Sequence, residues 1–148
     1  MSTIGLIDYG MGNLRSVNRA MVAAGADAFL AATPAEAEKA EMVVFPGQGA
    51  MADCMDCIRR TDFESFLKQW IAADRPFLGV CMGLQVLFER SEEADRPGLA
   101  IFPGVVRRFP SQPGLRIPHM GWNEAIFKPG APLTEGLRAE GEPFYFVH

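Results

Sequence analysis

Phe77-Leu78-Gly79-Val80-Cys81-Met82-Gly83-Leu84-Gln85 is the stretch from which the rest of the chain is read. Phe77 to Val80, behind Pro76, form a strand too apolar to be half exposed, and such runs belong to parallel sheets covered on both faces. A helical pattern follows Gly83, so strand passes to helix almost at once. The same alternation recurs upstream. Thr3 to Ile7 is a short apolar strand ending at Asp8, and Gly10-Met11-Gly12-Asn13 is a turn. Leu14, Val17, Met21 and Ala24 then repeat at helical spacing, with Gly25 placed to stop the helix. Ala28 to Ala31 is a second strand and Pro34 opens a short helix. Met42 to Phe45 is a buried strand stopped by Pro46-Gly47-Gln48-Gly49. Thr61 and Glu64 suggest a capping box, ahead of a helix whose apolar face is Phe63, Phe66, Leu67, Trp70 and Ile71. Strands separated by helices are βαβ units, so the first 90 residues or so predict an α/β fold with an open, doubly wound, mostly parallel sheet.

The texture changes after Glu92-Glu93. Pro97, Gly98, Pro103, Gly104, Pro110, Pro113 and Gly114 interrupt short apolar runs such as Gly104 to Phe109, which predicts an antiparallel region of hairpins. Pro143 to His148 predicts one more buried strand, left without a covering helix. An apolar strand without cover is also expected to make the chain poorly soluble.

Composition narrows the function. The chain has 148 residues, 49% hydrophobic and 22% charged, which fits a single globular domain. A net charge of -4 supplies no field for nucleic acid or an anionic membrane. The longest apolar stretch, Pro76 to Phe88, is too short for a bilayer and contains Gln85. The N-terminus lacks a basic region and meets Asp8 too early for a signal peptide. Three cysteines without an export signal are expected to be reduced thiols, and the location cytoplasmic.

Gly79-Val80-Cys81-Met82-Gly83 carries the sharpest chemistry. A strand running into a residue flanked by glycines two positions away, then a helix, is the arrangement of a nucleophile elbow. At the helix start, Cys81 would meet the positive end of the helix dipole, which favours the attacking thiolate. The N–H of Met82 would point at a developing oxyanion, and Gln85 would lie one turn further on the same face. The alternative is a buried, inert cysteine with glycines serving only packing. Pro46-Gly47-Gln48-Gly49 has the same ambiguity: its glycines suit an oxyanion site, or merely a turn. Cys54-Met55-Asp56-Cys57 has CxxC spacing without the context of zinc or redox motifs, so two thiols on a short helix are expected. Gly10 to Asn13 lacks the third glycine and the lysine of phosphate loops. Asp8 either positions the loop behind it or ends the strand in a simple turn.

Taken together, these segments resemble the class I, triad-type glutamine amidotransferases, with Gly79 to Gln85 as nucleophile motif and Pro46 to Gly49 as oxyanion-strand loop. Ile7-Asp8-Tyr9-Gly10-Met11-Gly12-Asn13-Leu14, Pro118-His119-Met120-Gly121-Trp122-Asn123 and Phe144-Tyr145-Phe146-Val147-His148 are similar to the glutaminase subunits of imidazole glycerol phosphate synthases within that superfamily. The resemblance implies a flavodoxin-like fold and one amidotransferase domain over residues 1–148. It implies that Cys81 attacks the side-chain amide of glutamine, giving a glutamyl thioester and ammonia. The backbone of Gln48, Gly49 and Met82 would hold the oxyanion, and Gln85 would help bind substrate. Asn13, His119, Met120, Trp122, Asn123 and Tyr145 would lie at an interface with a cyclase subunit shaped as a (β/α)8 barrel. Ammonia would pass into that barrel, which closes the imidazole ring in histidine biosynthesis. Neither metal nor cofactor is implied.

One departure matters. The family also uses a histidine base and an orienting glutamate in a late Phe-His-Pro-Glu type motif, and the two histidines here, His119 and His148, are not followed by Pro-Glu. The Ser/Thr-Tyr pair that usually follows the terminal strand motif is missing too. Family members run to roughly 200 residues, so the chain is expected to be incomplete at its C-terminus and to lack useful glutaminase activity alone. Two rivals remain: a different elbow-cysteine hydrolase, disfavoured by Pro118 to Asn123, and a non-catalytic partner that docks on the cyclase.

Overall fold

The computed structural model describes residues 2–138 and 140–147 and, at Asp95, the backbone alone. The chain divides into two compact units, one up to Arg108 and one from Phe109. The first is built on a four-stranded, all-parallel sheet of β1 (Thr3–Ile7), β2 (Asp27–Ala31), β3 (Met42–Gly47) and β4 (Phe77–Cys81), in the order β2-β1-β3-β4. Helices α1 (Leu14–Ala23), α2 (Pro34–Ala37), α3 (Met51–Arg60) and α4 (Phe63–Ala72) fill the crossovers. The doubly wound architecture is therefore present, with strands and helices at the expected places.

Alternation along the strands sorts the core. Ile4, Leu6 and Val44 point to one face, against Val17 and Met21 of α1. Ile7, Val43 and Phe45 point to the other, against Cys54, Met55 and Ile58 of α3 and Phe63, Leu67 and Trp70 of α4. The second face holds nearly all of the fully buried large side chains. No residue of α1 is fully buried, so the first face is thinly covered.

Local signals explain most boundaries. Asn13 caps α1, its Oδ1 accepting from the Ser16 N–H at 3.3 Å. Thr33 caps α2 by accepting from the Glu36 N–H, while the Glu36 carboxylate accepts from the Ala32 N–H at 2.8 Å. That reciprocal pair is where capping-box chemistry operates. The pair expected at Thr61 and Glu64 does not form. Thr61 ends α3 instead, its hydroxyl donating to the Cys57 carbonyl at 2.7 Å, and Asp62 precedes α4 in a left-handed conformation without a side-chain cap. Glu64 turns outward to Lys68 at 2.7 Å and Arg59 at 3.0 Å. The Lys68 ammonium, seconded by the Arg59 guanidinium, holds its carboxyl below the usual carboxylate range.

Three expectations need correction. β4 is not covered on both faces: it is the sheet's outer strand, half-buried at Phe77 to Gly79 and exposed at Val80. Its flank lines a groove of about 590 Å³ with Ile71, Leu84 and Phe102. The region after it is not uniformly antiparallel. β5 (Phe88–Ser91) pairs antiparallel with β6 (Ala94–Pro97) but parallel with β7 (Phe102–Val106), because the chain loops back through Gly98 to Ile101 before pairing again. The last strand is not buried. Among the described residues, β9 (Glu142–Val147) pairs only with β8 (Met120–Ala125), in a two-stranded antiparallel ribbon of the second unit, and a ribbon of two strands leaves its side chains in solvent. Among the described residues, no helix is long and apolar enough to cross a membrane.

The uneven core sets an expectation for stability. Leu67→Ala, at a fully buried position on the thick face, should cost about 2–5 kcal/mol in a denaturant titration. Val22→Ala on the exposed side of α1 should move stability by no more than about 0.5 kcal/mol.

Candidate active site

The strand order places the site. β1 leads outward to β2, whereas β3 lies on the opposite side of β1, so the winding reverses between β1 and β3. Ligands of open α/β sheets bind at the carboxyl ends of strands beside such a switch point. The loops leaving β1, β3 and β4 there are residues 8–13, residues 48–50 and the elbow at Cys81.

The elbow is formed in full. Cys81 ends β4 at φ 57° and ψ -117°, a conformation that costs a non-glycine residue about 1–3 kcal/mol. Met82 then begins α5 (Met82–Gln85). The glycines on each side permit the turn. A Cβ on Gly83 would overlap the Phe45 carbonyl oxygen, and one on Gly79 would come within 2.6 Å of the Gly83 carbonyl oxygen. α5 thus lies backbone to backbone on β3 and β4. Gly47 is paired in register with Cys81, which brings Pro46-Gly47-Gln48-Gly49 alongside the cysteine. The two loops are therefore neighbours at the carboxyl edge of the sheet.

Cys81 is exposed, while Cys54 and Cys57 are buried. Gln48 and Gly49 are exposed, and Gln85 is half-buried at the end of α5. The helix dipole expected to favour the Cys81 thiolate is small, because α5 is a single turn. What the elbow provides is the Met82 N–H, first in its helix and so without an intrahelical acceptor. Among the described residues, Cys81 Sγ has no hydrogen-bond partner.

The β1 loop lies against the loop after β3. A Cβ on Gly12 would stand 3.3 Å from the Pro46 carbonyl oxygen, and one on Gly49 would stand 3.3 Å from Met11 Cε. Asp8 Oδ1 accepts from the Gly10 N–H at 3.2 Å, a local turn. Beneath them Tyr9 is fully buried, its ring 4.8 Å from that of Phe45 and its hydroxyl accepting from Cys54 Sγ at 3.4 Å. Burial, then the bond to Cys54, pushes the Tyr9 hydroxyl far above its ordinary range. Burial pushes the Cys54 thiol up to about 11 against the opposing effect of Tyr9. Sequence reasoning passed over Tyr9 and Cys54 as a pair because they are 45 residues apart and carry no local signal.

The remaining candidates lie in two groups. Asn13 belongs to the first unit, where it caps α1. The second unit carries His119, Met120, Trp122, Asn123 and Tyr145. Trp122 and Tyr145 face each other across the ribbon, ring centroids 5.6 Å apart and edge to face, and Trp122 is 72% exposed. Met120, exposed, shares their face of the ribbon, whereas Asn123 pairs with Phe144 on the opposite face. The His119 ring is 6.4 Å from Phe146. His148 lies outside the described residues. No cluster of three or more metal-ligating side chains occurs among the described residues.

Comparisons agree with this geometry. The family model for class I glutamine amidotransferases matches residues 5–147. The chain is 50% identical to the imidazole glycerol phosphate synthase subunit HisH of Dechloromonas aromatica, over 99% of this chain and 71% of that protein. It is 48% identical to the HisH subunit of Thermosynechococcus vestitus, over 98% of this chain and 69% of that one. A crystal structure described as a glutamine amidotransferase superposes with a TM-score of 0.72 at 17% identity, over 97% of this chain and 70% of that chain, and shares the fold.

Two measurements check the chemistry of the cysteines. In the native chain, iodoacetamide should add one carbamidomethyl group, at Cys81, and in denaturant three, as read by mass spectrometry. The fold holds the Cys54 thiol protonated, so its contribution to stability is complete below its ordinary value of 9.0 and lost as pH rises toward about 11. Unfolding free energies from denaturant titrations across that window should fall, on the order of 3 kcal/mol from Cys54, and Cys54→Ser should flatten the fall in part, the raised Tyr9 hydroxyl carrying the rest.

Proposed function

The chain belongs to the class I glutamine amidotransferase family, among the HisH subunits of imidazole glycerol phosphate synthase, and we propose that it is the glutaminase half of such a synthase. Its reaction is hydrolysis of glutamine to glutamate and ammonia, with ammonia handed to a cyclase subunit for imidazole glycerol phosphate synthesis in histidine biosynthesis. We place it in the cytoplasm, as its composition suggests, in a heterodimer with the cyclase.

The observation that carries this reading is the register of Gly47 with Cys81. It sets a strained, exposed cysteine beside an exposed, glycine-bearing loop. The Cys81 thiolate attacks the side-chain carboxamide carbon of glutamine. Negative charge collects on the carbonyl oxygen, and we assign its reception to the N–H groups of Met82 and of Gln48 or Gly49. Collapse of the tetrahedral intermediate expels ammonia, the nitrogen taking a proton, and leaves a γ-glutamyl thioester on Cys81. Water then releases glutamate and restores the thiol. Gln85, one turn along, contributes to glutamine binding.

Both proton transfers need an acid–base group, and no described residue is bonded to Cys81 Sγ. In the family that group is a histidine oriented by a glutamate. Such catalysis contributes about 10²–10⁴-fold, so the 148-residue chain is expected to turn over slowly by itself.

Met120, Trp122 and Tyr145 are the proposed cyclase-facing side chains, with Asn13, His119 and Asn123 completing the interface. Large aromatic side chains left in solvent are the kind that anchor protein–protein interfaces.

Glutamate release should be measured for the chain alone and with its cyclase, before and after Cys81→Ala. Little release by the chain alone, and loss of whatever release exists in the variant, is the expected pattern. Robust release that survives Cys81→Ala overturns the assignment of the nucleophile. Tight cyclase binding with no release in either state favours the non-catalytic docking role.

A further inference from the structure

We propose that Tyr9 is a positioning residue for the oxyanion loop, its hydroxyl and the Cys54 thiol forming a buried clamp that holds the loop from both ends. The proposal rests on the glutaminase reading for what the loop does, and on the structure for how the loop is held.

Residues 46–50 have little packing of their own. Gln48, Gly49 and Ala50 are exposed, and among these five residues only Pro46 is buried. The loop's position is therefore set by what grips its ends. Phe45 stands immediately before Pro46, and its ring packs on the Tyr9 ring with centroids 4.8 Å apart at 59°. On the far side, α3 begins at Met51, and Cys54 on its first turn reaches the Tyr9 hydroxyl at 3.4 Å. One side chain thus touches the residue before the loop and the first helical turn after it. All three partners are fully buried, so the contact is shielded from water. Phe45 also donates the carbonyl surface on which Gly83 rests, so the clamp and the elbow share a strand.

A role in general packing would make Tyr9 no different from Phe63 or Leu67. In the clamp, the hydroxyl sets the loop over and above the packing of the ring. Tyr9→Phe keeps the ring against Phe45 and removes only the bond to Cys54. Cys54→Ala removes the same bond from the other side. Cys54→Ser restores a donor at nearly the same place.

The test uses the full chain and two readouts. Hydrogen–deuterium exchange follows the amides of residues 47–50. Labelling of Cys81 is followed with two reagents: the diazoketone analogue of glutamine, whose carbonyl occupies the oxyanion position while sulfur displaces dinitrogen, and iodoacetamide, which needs no oxyanion site. Tyr9→Phe and Cys54→Ala should each speed exchange in 47–50 by about five- to tenfold, the equivalent of one hydrogen bond, with α1 and α4 unchanged. Diazoketone labelling should slow while iodoacetamide labelling stays within about twofold, below the range of one hydrogen bond. Cys54→Ser should return both to the parent values. Unchanged exchange in 47–50 overturns the clamp, and so does faster exchange spread evenly over the fold. If the parent chain reacts with iodoacetamide but not with the diazoketone, the glutaminase reading fails, and exchange alone decides the clamp.

Discussion

The contact between Gly83 and the Phe45 carbonyl is the constraint on which the rest of the site depends. With hydrogen as its side chain, Gly83 lets α5 settle directly on the backbone of β3. β4 then turns into α5 at one residue, and Cys81 takes a positive φ of 57° there. Strain of that kind persists only where the surroundings over-determine it. Here they do: Met82, Val86 and Leu87 are buried in the main core on one side of the turn, and five in-register pairs tie β4 to β3 on the other. The exposed thiol is thus held by side chains that take no part in the chemistry.

The unequal faces of the sheet have a functional side. The thick face, with α3 and α4, carries the residues that hold the loop after β3, including Phe45 and Cys54. The thin face and the flank of β4 leave Val80 and Leu84 exposed. The core is thickest beneath the loop that, on the proposed function, presents backbone N–H groups in fixed directions. Preorganised donors are worth most when they need no rearrangement as charge develops. A core weighted toward α3 and α4 supplies that order where it is needed.

Much of this was legible in the residues. The strands and helices through Cys81 announce themselves by period and punctuation, since apolar residues at helical spacing and Gly or Pro at the ends leave few alternatives over short spans. The elbow was legible because its glycines are spaced by the geometry they serve. What escaped is long-range or competitive. Thr61 had the sequence of a capping box, yet its hydroxyl found the Cys57 carbonyl one turn back, and the carbonyl won. β4 looked doubly covered because its composition is apolar, but exposure depends on what lies beside a strand as well as on the strand. β9 misled for a related reason. Phe144 to Val147 read as core, whereas pairing with β8 alone leaves the ribbon's apolar side chains open.

That ribbon bears on why such an enzyme comes in two parts. A two-stranded ribbon is marginal in water unless something packs on it. Here Trp122 and Tyr145 meet edge to face with most of the indole in solvent. Aromatic side chains present large, stiff contact surface at little entropic cost, and burying them against a partner yields much of an interface's free energy. On the proposed function, the partner also receives the ammonia. Ammonia released beside an exposed cysteine escapes to water unless the site is enclosed at the moment of release. On the proposed function, a surface that gains most from being covered belongs to the subunit whose product must not leak, so the docking that stabilises the ribbon also brings the receiving subunit to the chain.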